Sequence, residues 1–249
     1  MRRALLLLPL VLAGCGGGGS ARHSTSFTVS SYGHGPSRVW LFRPDRQPRA
    51  TVVFVHGAGD VRETTPHYHR PWLEHLAREG VAVVYPRFEL YPLQSGALEH
   101  LERGVAIAAA KLKVPHDVPV VGIGYSRGGR LVMEWASRSP RSPLFPRAIL
   151  SVFPAGAMDR IHDLSPLSHR TKVVILAGDQ DTVVGTIGAG QLVTQLAASG
   201  FPYRDVRFEG VRSHGTFVAS HQSVLEDSPG ARAAFWRRAD RLIDSVAGS

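Results

Sequence analysis

The chain holds a single cysteine, Cys15, so no disulfide can form within one molecule. Lysine is nearly as scarce: Lys111, Lys113 and Lys172 stand alone, and arginine supplies the other 26 of the 29 basic residues. Only 20 acidic residues oppose them, leaving a formal charge of +9. That sign suits contact with anionic lipid head groups near an anchor, but an arginine-rich codon bias accounts for it more simply. The arginines are scattered and no nucleic-acid-binding motif is present, so no nucleic-acid partner is expected. No apolar run reaches the roughly 20 residues that a membrane-spanning helix needs. A phosphate-cradling glycine loop is missing, which argues against a nucleotide cofactor. His67-x-His69 is a close histidine pair, but its only acidic neighbour is Glu63 and no cysteine lies near, so no metal site is expected there.

What the chain does have begins at its start, "MRRALLLLPLVLAGCGGGGS". Arg2 and Arg3 precede a short apolar run, residues 4–12, which ends in small residues and fits a secretory signal peptide. Leu12-Ala13-Gly14-Cys15 resembles the lipobox of bacterial lipoproteins. That resemblance implies a signal peptide over residues 1–14 and a lipid on the Cys15 thiol. It also implies a membrane-anchored, extracytoplasmic protein of the bacterial cell envelope. Residues 16–26 are rich in Gly, Ser and Thr and read as a tether whose ten or so residues have a mean reach of roughly 16–19 Å.

Beyond residue 26 the composition suits a folded domain, with 43% hydrophobic and 20% charged residues in the whole chain. Strand-like and helix-like runs alternate, as in an α/β sheet. Strands are expected at 27–32, 38–42, 51–55, 81–85, 118–122, 148–153, 172–176 and 203–208. Helices are expected near 71–78, 97–113, 128–137, 190–198 and 231–246. Continuous apolar runs such as "VVFV" and "VVIL" suit parallel strands covered on both faces. Only about fifteen residues, 155–171, separate the sixth and seventh strands, so any cap there is short and the cleft is expected to be open.

"VVGIGYSRGG" places Ser126 between Gly124 and Gly128, at the junction of an expected strand and helix. A hydroxyl is a weak nucleophile and needs a base within hydrogen-bond reach and a group that orients the base. A sharp strand-to-helix turn lifts such a serine above the sheet edge, and flanking glycines let the backbone pass.

Three motifs in order, "HGAG" at 56–59, "GYSRG" at 124–128 and "AGDQD" at 177–181, resemble those of the α/β-hydrolase superfamily, of the dienelactone hydrolase and esterase-like kind. The resemblance covers about 27–246. It implies an α/β-hydrolase fold with a mostly parallel sheet of about eight strands and helices on both faces. Residues 27–249 would form one domain, following the signal peptide at 1–14 and the lipidated cysteine and tether at 15–26.

The resemblance also implies a Ser-Asp-His triad. Ser126 would be the nucleophile. The acid falls on Asp179 or Asp181; the pattern Gly178-x-x-Asp-x-x-Val favours Asp181, leaving Asp179 to cap the turn. For the base, His214 in "GVRSHGTF" is selected, with His221 the nearby competitor. The backbone N–H groups of Ala58 and Arg127 would form the oxyanion hole, and His56 would be structural. The expected activity is hydrolysis of a small-molecule or lipid-like carboxylic ester through an acyl-enzyme, without metal or organic cofactor. An amidase, peptidase or acyltransferase would use the same triad, and a non-catalytic envelope lipoprotein would not need it.

Overall fold

Strands that are apolar on both sides need cover on both sides, and this requirement organises the molecule. The computed structural model describes residues 26–113, 115, 117–157 and 162–248. The expected signal peptide and Cys15 lie outside the described residues, as does nearly all of the tether. Eight strands form one sheet: β1 (Phe27–Tyr32), β2 (Val39–Pro44), β3 (Ala50–Val55), β4 (Val81–Pro86), β5 (Val120–Tyr125), β6 (Ala148–Val152), β7 (Lys172–Gly178) and β8 (Val206–Val211). Their spatial order is β1-β2-β4-β3-β5-β6-β7-β8. The first two strands pair antiparallel and all the others run parallel.

Five longer helices flank the sheet: α1 (Arg70–Arg78), α2 (Ala97–Leu112), α3 (Arg127–Arg138), α4 (Ile187–Ala198) and α5 (Arg237–Ala247), the last entered through a π-helical stretch, Arg232–Trp236. Alternate residues of β3 show the layering. Val52 and Phe54 face one core with Trp72 and Leu76 of α1 and with Trp236 and Ile243 at the carboxyl end. Val53 and Val55 face a second core with Leu101 of α2, Val132 and Trp135 of α3, and Leu192 of α4. Side chains alternate across a strand, so each β3 residue serves one core or the other.

Several boundaries shift by a few residues from the sequence reading, and two of them matter here. The fifth strand runs to Tyr125, so no residue intervenes between strand and Ser126. The eighth begins at Val206 rather than at 203, because Pro202 fixes its own φ and 203–205 close a 3₁₀ turn before the chain extends. Among the described residues no helix is long and apolar enough to cross a membrane.

Candidate active site

Ser126 sits at φ 55°, ψ −122°, between β5 and α3. A non-glycine residue there carries strain of order 1–3 kcal/mol that its surroundings must impose. Three backbone hydrogen bonds impose it. Ser126 N–H donates to the Val152 carbonyl at 3.0 Å, and its own carbonyl accepts from Gly129 N–H at 2.9 Å and Ala155 N–H at 3.0 Å. The glycines are sterically required. A Cβ on Gly124 would come within 2.6 Å of the Gly128 carbonyl carbon, and one on Gly128 equally close to that of Val55. The turn exists only because both positions lack a side chain.

The Ser126 hydroxyl meets an imidazole, but not that of His214. His221 Nε2 lies 3.0 Å from Ser126 Oγ, and its Nδ1 lies 2.8 Å from Asp181 Oδ2. The other Asp181 oxygen accepts from the N–H groups of Val183 at 2.9 Å and Val184 at 3.0 Å. With both oxygens engaged and its side chain wholly buried, Asp181 holds the ring in one orientation. The backbone carbonyl of His221 accepts from the Tyr125 hydroxyl at 3.0 Å. Burial raises the pKa of that phenol, helped by the negative charges of Glu63 and Asp181, so it stays a donor.

His214, the expected base, is corrected by the turn it occupies. After β8 the chain folds back on itself. His214 and Phe217 exchange two backbone hydrogen bonds of 3.0 Å, with Gly215 at φ 56° between them. This turn leaves the His214 ring exposed, tilted against Phe217 at 5.5 Å. The chain then re-enters through buried Phe217 and Ala219, and His221 opens the 3₁₀ helix His221–Leu225. Polar neighbours on both sides of His214 were the available signal: Arg212, Ser213 and Thr216 suit an outward turn, whereas His221 lies among Phe217, Ala219 and Val224. Asp179 occupies the other position open to the acid and binds Ser213, accepting from its N–H at 2.9 Å and its hydroxyl at 2.6 Å. It pins the start of the same loop.

A cleft of roughly 340 Å³ joins these groups, lined by Ser126, His221, Ala58, Arg127 and Glu63 and closed on one side by Val183 and Val184. Arg127 is the first residue of α3, where a backbone N–H has no intrahelical acceptor. The Ala58 loop is braced from behind. Glu63 Oε1 accepts from Gly57 N–H at 3.2 Å and contacts His69 Nε2 at 3.3 Å. Burial alone would raise the Glu63 pKa, but the hydrogen bond and charge of His69, with His56 and Gly57, hold it below the usual carboxylate range. His69 is thus a buried partner of Glu63, whereas His67 is exposed, and the two do not converge. His56 is fully buried, stacked on Phe88 at 4.1 Å, and burial pushes its pKa down to about 3. It is a neutral ring that donates from Nδ1 to the Gly57 carbonyl at 2.6 Å. Among the described residues no cluster of three or more His, Cys, Asp or Glu is placed to hold a metal ion.

No protein-family model and no curated protein matches the sequence. Solved structures do resemble the fold. An α/β-hydrolase enzyme from a Medee basin deep-sea metagenome library superposes with a TM-score of 0.65 at 16% identity, covering 90% of this chain and 100% of that one. Carboxyl esterase 2 of the mycorrhizal fungus Tuber melanosporum gives 0.64 at 16% identity, covering 89% of this chain and 86% of its own. The fold is that of an α/β hydrolase. A bacterial heroin esterase shares it at a TM-score of 0.60 and 15% identity, with 93% and 86% covered. In α/β-hydrolase terms Ser126 sits on the turn between the central strand β5 and the helix behind it, and Asp181 and His221 follow β7 and β8.

Proposed function

We propose that the chain is a serine hydrolase acting on carboxylic esters, with Ser126, His221 and Asp181 as its triad. The observation that carries this reading is the hydrogen-bond chain from Ser126 Oγ through His221 to Asp181. His221 Nε2 takes the Ser126 proton as Oγ bonds to the ester carbonyl carbon. The carbonyl electron pair moves onto oxygen, which the Ala58 and Arg127 N–H groups stabilise. Collapse of the tetrahedral adduct breaks the bond to the alcohol, which leaves with the proton from His221, and the acyl group stays on Oγ. Water, deprotonated by the same ring, attacks the acyl-enzyme and releases the carboxylic acid. Asp181 stabilises the imidazolium formed in each half-reaction. No step calls for a metal or organic cofactor.

The fold is shared with a carboxyl esterase and a heroin esterase, which supports an ester substrate over an amide. The lipobox-like segment at Cys15 supports an envelope lipoprotein held by a lipid on that thiol.

A fluorophosphonate probe tests the chemistry. Folded wild-type protein should be labelled at Ser126 and should hydrolyse short-chain esters. Ser126→Ala and His221→Ala should abolish labelling, and His214→Ala should leave it within about twofold, since an exposed side chain off the site contributes little. Retained labelling in Ser126→Ala would refute the reading.

A further inference from the structure

Arg127 carries one of the two proposed oxyanion amides, yet its side chain does not reach for solvent. It is buried, and its guanidinium forms an ion pair with Glu89, which is fully buried. Its Nη2 donates to the Gln94 carbonyl at 3.3 Å, and the Phe88 ring lies 5.8 Å from the guanidinium carbon. The Glu89 Oε1 has no hydrogen-bond partner among the described residues. Arg127 is thus the side chain that this buried carboxylate holds, from the loop that follows β4.

We propose that Glu89 is a positioning residue that fixes the Arg127 N–H at the start of α3 by holding the Arg127 guanidinium, with the Gln94 carbonyl, from the loop that follows β4. The proposal rests on the serine-hydrolase reading above. A buried ion pair is a poor device for stability, since well-packed apolar residues of similar volume are often neutral or better. Donors already aimed at the developing oxyanion, by contrast, need no reorganisation during the reaction. Burial pushes the Glu89 carboxyl up to about 7, against the pull of Arg127 and of the Gly59 and Leu93 N–H groups. Arg127 is the charge that acts on it. The tie is thus complete only once Glu89 has lost its proton, so it weakens on the acid side of neutrality.

The test uses the full chain with a soluble short-chain ester. Glu89→Gln removes the charge. A second variant, Glu89→Leu with Arg127→Met, removes the tie without leaving a buried charge unpaired, so folding is kept. Both should lose about 10- to 100-fold in kcat with KM within twofold, less than the ~10²–10³ for removing one oxyanion donor outright. An alkylboronic acid, whose adduct with a serine mimics the tetrahedral species, should bind more weakly in proportion. Wild-type kcat/KM should fall on the acid side with the slope of two protons, and Glu89→Gln with that of one.

Unchanged kcat in the folded double variant overturns the proposal, as does a loss that appears in KM or follows melting temperature alone. Continued Ser126 labelling in these variants shows that the triad reading survives such a failure. A wild-type chain that neither labels nor cleaves any ester overturns both.

Discussion

The Glu63 carboxylate braces the Gly57–Ala58 segment through Gly57 N–H and His69. Its pKa is lowered in the folded protein, so its ionised form is favoured there over the unfolded chain. For a lowered carboxylate the stabilisation is complete above the unfolded value, about 4.3, and disappears as pH falls through the folded value. Glu63→Gln should therefore lower the melting temperature at pH 7, and the gap to wild type should narrow as pH falls below the unfolded carboxylate value, about 4.3. A gap that does not vary between these pH values would show that Glu63 acts through shape and not charge. Single residues also mark where the sequence was legible. Ser126 was, because local sterics dictate its turn: glycines two places either side are the only residues that let α3 pack against the end of β3. Asp181 was singled out by the resemblance of "AGDQD" to the α/β-hydrolase pattern, and the structure places it against His221. His221 was less legible: the polar residues around His214 and the apolar ones around His221 hint at which ring turns outward, but only packing in the fold sets the His221 ring against Ser126.

Elements supply what single residues cannot. The loop that bears His221 leans on the carboxyl-terminal segment: Phe235 meets Phe153 edge-on at 5.5 Å and Phe217 at 6.2 Å. Phe153 in turn stacks behind His221 at 6.5 Å. Removing the Phe235 ring should leave a cavity beneath this loop. Phe235→Ala is expected to reduce unfolding free energy by about 3–5 kcal/mol in urea titrations. Fluorophosphonate labelling should slow as well, because His221 loses its backing; unchanged labelling would uncouple the aromatic cluster from the site. The sequence located this closing helix but did not reveal its π-helical entry at Arg232–Trp236, where the extra residue per turn brings Phe235 and Trp236 into one core. Such an insertion answers tertiary packing rather than helical propensity. The apolar strands, by contrast, were legible throughout, since burial on both faces writes itself as unbroken Val and Ile.

At the scale of the molecule, the sheet separates the two ends that matter. Phe27 pairs with Pro44, and β2 runs antiparallel to β4, so the described chain begins at the edge where the parallel strands start. Ser126 lies at the opposite edge, where β5 ends. If Cys15 carries a lipid, a tether with a mean reach of roughly 16–19 Å leaves the domain on the side away from the cleft. The cleft would then take its ester from the aqueous side. Cys15→Ser should release the protein from membranes and leave turnover of a soluble ester unchanged. Membrane fractionation and a rate measurement read the two arms; retention on membranes would refute lipidation at that residue.

By itself the sequence determined the sheet, its two-sided cover and the seat of Ser126. These depend on hydrophobic periodicity and on backbone sterics within a few residues, which any stretch of chain carries with it. The pairing of that serine with a base was decided only by the tertiary structure. Its partner imidazole stands 95 residues on, and the Asp181 carboxylate that holds that ring lies 40 residues before it. Two histidines within one loop differ by whether a tight turn exposes the ring or packing draws it inward, and packing against Phe153, Phe217 and Phe235 is a property of the folded whole.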